Sequence, residues 1–79
     1  MGYKVYPNPA TSQLTVEIEG QASFENLELI DALGRVLVRE SLNDSGKNTI
    51  DLSHVPSGMY VVRLYGKAHQ ATESLWIRK

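Results

Sequence analysis

The chain has 79 residues, a net charge of −1 and no cysteine. A chain this short buries roughly 60–65% of its unfolded surface, enough for one thin core and too little for an enclosed active site beside it. Disulfides, thiolate metal sites and cysteine nucleophiles are excluded, while the compartment stays open. Both charge signs are scattered, so no basic stripe points to nucleic acid and no polybasic run to a membrane surface. No apolar run approaches the ~18 residues of a membrane-spanning helix, and no signal peptide is visible. Met1-Gly2 reads as an expression start, which leaves residues 3–79 as a single expected domain and the chain as a fragment of something larger.

In chain order, "VYPNPAT" (Val5–Thr11) comes first. Its two prolines lack an N–H and push Tyr6 and Asn8 toward extended geometry, so a stiff lead-in ending in a turn is expected, never helix or central strand. In "QLTVEIEG", Leu14, Val16 and Ile18 alternate with polar residues, the pattern of a half-buried strand. "NLELID" repeats it with Leu27 and Leu29. Gly34 in "ALGR" stands where a turn needs positive φ. "RVLVRESL" is a third strand whose inward face is ambiguous, because Val36 and Val38 compete with Leu37. "NDSGKN" (Asn43–Asn48) is a run of turn formers and "TIDL" a short strand. One helical turn at most is expected, near Ser53-His54. After the turn in "HVPSGMY", "MYVVRLY" is the strongest strand, Gly66-Lys67 marks a hairpin, and "ATESLWIRK" is the last strand. About seven short strands with turn signals every ~8–12 residues predict an all-β, Ig-like antiparallel sandwich, with a small open barrel as the alternative.

Few residues could carry chemistry. His54 and His69 lack further metal ligands at suitable spacing, and read as exposed loop or strand histidines. Asp51, Ser53 and His54 cannot form a triad within a strand, where His54 points away from the other two. "SGKNT" misses both the first glycine and the hydroxyl of a phosphate loop, "NDSG" lacks the acidic density of a calcium loop, and the sequon at Asn43 is explained by turn composition. Glu17, Glu19 and Glu28 read as solubilisers of strand faces. Asp31 and Asp51, at strand ends, are expected to bond nearby backbone N–H groups and set turns. No catalytic residue, cofactor or metal site is expected, nor a nucleic-acid or small-molecule partner; the pattern points to a module that is recognised.

The order "VYPNPAT…LTVEI…LELIDALGRVLV…TIDLSHVPSGMYVVRL…SLWIRK" resembles the C-terminal sorting domain of the type IX secretion system of Bacteroidota, over Val5 to Lys79. Tyr6, Pro7, Asn8 and Pro9 match its opening block. Asp31, Gly34 and Arg35 match its Asp-x-x-Gly-Arg/Lys turn, and Gly58 and Tyr60 its Gly-x-Tyr block. Leu75, Ile77, Arg78 and Lys79 match its apolar and basic end, although Ser74 stands where many members have Lys. The resemblance implies the last module of a larger secreted protein, joined covalently to an N-terminal cargo. The cargo crosses the inner membrane on its own Sec signal. In the periplasm the domain addresses it to translocon components in the outer membrane, and a sortase-like cysteine protease then removes the domain and attaches the cargo to anionic lipopolysaccharide. The domain itself would be no enzyme.

Alternatives are a cell-surface adhesion or carbohydrate-binding sandwich and an accessory structural domain of a secreted enzyme. Two residue-level expectations follow. Tyr60, shortly after Pro-Ser-Gly, is either a tyrosine corner bonded to upstream backbone or an ordinary core tyrosine. In the tail, alternation turns Leu75 and Ile77 inward and leaves Trp76 partly wet beside Arg78. An exposed Trp flanked by Arg has the composition of an interface hot spot, which makes Trp76, Arg78 and Lys79 the expected contacts for the export machinery.

Overall fold

The computed structural model describes residues 2–19, 24–43 and 46–79; Met1 and the Asp44-Ser45 part of the expected turn lie outside the described residues. Seven strands and no helix are found among them: β1 (Tyr3–Tyr6), β2 (Gln13–Ile18), β3 (Asn26–Ile30), β4 (Val36–Ser41), β5 (Gly46–Asp51), β6 (Gly58–Tyr65) and β7 (Gln70–Ile77). Two antiparallel sheets, ordered β1-β2-β5 and β4-β3-β6-β7, form a sandwich. The alternation read from the sequence sets the facing. Leu14, Val16 and Ile18 from β2 meet Leu27, Leu29, Val62, Leu64, Leu75 and Ile77 from the opposite sheet in one core. Burying each such side chain stabilises by about 1.5–3 kcal/mol relative to leaving it exposed.

Two local readings are sharpened. In β4, Val38 faces Leu29 while Val36 faces Ile30, with the register slipping between them. Leu37 is the extra residue of a bulge, so Val36 and Val38 lie on opposite faces and only Val38 packs against the core. The run from Asn43 is not turn throughout, because Gly46 to Asn48 already pair with β2. Asn48 is buried there, its amide accepting from the Asn43 N–H at 2.8 Å and donating to the Asn43 carbonyl at 3.3 Å. A buried polar side chain thus finds its hydrogen-bond partners in the backbone of Asn43. Near Ser53-His54 the chain makes a turn, with the Val55 N–H on the Leu52 carbonyl at 3.0 Å.

Candidate recognition surface

The opening block and the last strand, far apart in sequence, are joined. Pro7 and Pro9, both preceded by cis peptide bonds, flank Asn8. The Asn8 side-chain oxygen accepts from the Trp76 N–H at 3.1 Å and its amide donates to the Ser74 carbonyl at 3.3 Å. One step on, the Ala10 N–H donates to the Trp76 carbonyl and the Arg78 N–H to the Ala10 carbonyl, each at 2.8 Å. The outward backbone groups from Ser74 in β7 to Arg78 just past its end are thereby taken up by a segment too proline-rich to build a full strand. At about 0.5–1.5 kcal/mol per bond, this clamp fixes the tail firmly. Sequence reading found both pieces and missed that they touch. The available signal was Asn8 itself, whose side chain both donates and accepts between two prolines that cannot donate.

The tail residues divide as alternation requires. Leu75 and Ile77 are buried, and Trp76 is 51% exposed. Arg78, Trp76, Pro9 and Asn8 line a shallow hollow of about 220 Å³. Lys79 turns the other way. Its amine donates to the Leu52 carbonyl at 2.8 Å and its N–H to the Ser57 hydroxyl at 2.9 Å, closing the end of the sandwich. Trp76 and Arg78 therefore share a surface that Lys79 does not reach.

That surface is the outer face of the four-stranded sheet, and cross-strand register divides it in two. One half is polar: Arg39, Glu28, Arg63 and Thr72 form one row, and Ser41, Asn26, Tyr65 and Gln70 the next. The other half is apolar: Val36, Ile30 and Val61 lie in one row with Ser74, and Met59 beside Trp76 in the next.

Glu28, expected to be a wet solubiliser, is 7% exposed. Its carboxylate accepts from Arg63 Nη1 at 3.0 Å, from Arg39 Nε at 3.1 Å and from the Tyr65 hydroxyl at 3.4 Å. The Arg63 guanidinium lies over the Tyr65 ring at 4.4 Å. Burial by itself would raise the Glu28 pKa, but the hydrogen bonds and charges of Arg63 and Arg39 outweigh it and hold the carboxyl below its usual range. Long arginines on both neighbouring strands cover a residue that alternation places outside. Of the other two glutamates read as solubilisers, Glu17 is half-buried and accepts from the Tyr6 hydroxyl at 3.1 Å, and Glu19 pairs with Lys4 at 3.5 Å.

The remaining motif residues shape loops. Asp31 Oδ1 accepts from the Leu33 and Arg35 N–H groups, each at 2.9 Å, and Oδ2 from Arg35 Nε at 2.8 Å. Gly34, at φ +85°, lets the turn close under that carboxylate. Asp51 caps the Ser53 N–H at 2.9 Å. Both aspartates are held below their usual pKa, chiefly by backbone N–H bonds, from Arg35 to Asp31 and from Ser53 to Asp51. The Tyr60 hydroxyl donates to the Pro56 carbonyl at 2.7 Å, the tyrosine corner, with Gly58 on the approach. A Cβ on Gly58 would meet the Tyr60 ring at 3.6 Å, and its φ of +155° disfavours any other residue. A hollow of about 590 Å³ opens between β4 and the loop after β5, lined by Arg35, Val38, Glu40, Asp51, His54 and Tyr60 among others. Among the described residues, no group of three or more His, Asp or Glu could hold a metal ion.

A family model described as the secretion system C-terminal sorting domain matches residues 4–78. The chain belongs to that family. None of the curated proteins compared matches the chain. The sorting domain is a C-terminal signal for type IX secretion, attached to a cargo protein, recognised by the secretion machinery and exported across the outer membrane toward the surface or the extracellular space. The family is not known as catalytic, and the adhesion, carbohydrate-binding and accessory readings gain no support.

Proposed function

We propose that the sorting domain is read through its clamped tail, with Trp76 and Arg78 touching the translocon and Lys79 holding the tail in place. The observation that carries this is the half-exposed Trp76 beside Arg78 on backbone pinned by Asn8 and Ala10. A large aromatic on a rigid strand loses little freedom on binding, which is how hot-spot residues work. The domain passes through the periplasm behind its N-terminal cargo, engages translocon components in the outer membrane, and is cut off by a sortase-like cysteine protease. It is substrate and ligand, with no catalysis of its own. The motif residues Tyr6, Pro7, Asn8, Pro9, Asp31, Gly34, Arg35, Gly58 and Tyr60 build the scaffold that presents the tail. In the test, the domain is fused behind a reporter carrying a Sec signal in a type IX-competent cell. Reporter at the surface or in the medium is expected; an intact, folded fusion held in the periplasm contradicts the reading. Arg78 and Lys79 should be substituted rather than deleted, since their backbone N–H groups bond Ala10 and Ser57.

A further inference from the structure

We infer that the apolar half of the outer face, Val36, Ile30, Val61, Met59 and Trp76 with Arg78 at its rim, docks a protein segment that presents an apolar side chain with an aspartate or glutamate beside it. This rests on the sorting reading and specifies the partner's chemistry. The five apolar residues come from four adjacent strands and lie side by side by register. Ile30 is half-buried, and Val36, Val61, Met59 and Trp76 are exposed, Met59 at 51%. A groove of about 180 Å³ runs between Ile30, Asp31, Ala32, Met59, Val61 and Ser74, with room for one apolar side chain; the Asp31 carboxylate is already paired with Arg35. Contiguous exposed apolar surface of this kind is where protein partners dock.

Charge selects the occupant. The face carries three arginines against one carboxylate, and Arg39 and Arg63 are already paired with Glu28. Arg78 makes no ion pair among the described residues, and its hollow with Pro9 and Trp76 adjoins the apolar strip. A carboxylate on the partner completes it as a charge-assisted pair. A second copy of this chain would bring another Arg78 and the same basic excess. A lipid surface needs several basic residues acting together, and one unpaired arginine gives too little.

The test places a photo-reactive residue at Met59, and separately at Thr49 on the opposite face, in the reporter fusion. Both run in export-competent cells. Met59 should cross-link to a protein whose captured peptide contains Asp or Glu within a few residues of the link, and Thr49 should not. Arg78→Glu, with unchanged melting, should lower both cross-link and export at least about tenfold. A cross-link to a second copy, to lipid or to a peptide without carboxylates overturns the inference, as does equal capture at Thr49. Normal export with no cross-link at Met59 overturns the docking surface alone. A parent fusion that stays in the periplasm overturns the sorting reading and this inference with it.

Discussion

The two outer faces of the sandwich follow the same strand alternation and end up unlike each other. On the three-stranded sheet, Lys4, Glu17 and Lys47 lie in one row and Tyr6, Thr15 and Thr49 in another. It is a solvated face, and its one aromatic has its hydroxyl on Glu17. On the four-stranded sheet the polar residues close around Glu28 and the apolar ones stand uncovered. Alternation dictates only that a face is turned outward. What lies across each strand decides whether that face is merely wet or carries information for a partner.

The difference can be broken at its polar half first, where the largest loss is expected. Glu28→Ala leaves two guanidinium groups and the Tyr65 hydroxyl without their shared acceptor, and should lower Tm more than any single polar change on the three-stranded face. Thermal melts of both sets decide it.

Acid should act on the same contrast. Glu28, Asp31 and Asp51 all have folded pKa values below their ordinary ones. The unfolded chain therefore takes up protons first as pH drops, so the stability these groups contribute is fully present above the ordinary carboxylate range and is lost as pH falls through that range and on through the lower folded values. Glu28→Gln should flatten the fall of Tm with acid.

Loosening the clamp is the next smaller change. Asn8→Ala removes two hydrogen bonds to β7 and should cost about 1–2 kcal/mol in urea unfolding. Exchange of the Trp76 amide should quicken more than that of the Leu64 amide in the sheet interior.

The smallest effect belongs to the wet face. Glu19→Ala breaks only the exposed pair with Lys4 and should stay within about 0.5 kcal/mol of the parent. A larger loss would mean that the three-stranded face is also a bonded network.

Much of this was legible in the residues. Period-two alternation placed Leu14, Val16, Ile18, Leu27, Leu29, Leu75 and Ile77 inward, and by the same rule left Trp76 outside. Gly34, Asp31 and Asp51 could be assigned because each acts on backbone within a few residues of itself, while Tyr60 stayed open between a corner and an ordinary core residue until its hydroxyl was placed on Pro56. What escaped were consequences of pairing across long sequence separations. Glu28 is buried by arginines 11 and 35 residues away, and Asn8 meets a strand 68 residues on. Nothing local marks Glu28, and Asn8 between its two prolines signals that it bonds backbone without signalling which strand. The facing of β4 hid for a different reason: a bulge at Leu37 reverses the alternation that would have settled it. Lys79 was read by its charge, while its amine is used to bond a carbonyl.

The claim that the four-stranded face carries the signal is tested most directly by export of two variants of one reporter fusion. Thr49→Ala changes the wet face and Trp76→Ser the apolar half, and melting curves check that both remain folded. Thr49→Ala should export like the parent, and Trp76→Ser about tenfold less. Equal export of a folded Trp76→Ser variant would contradict the account.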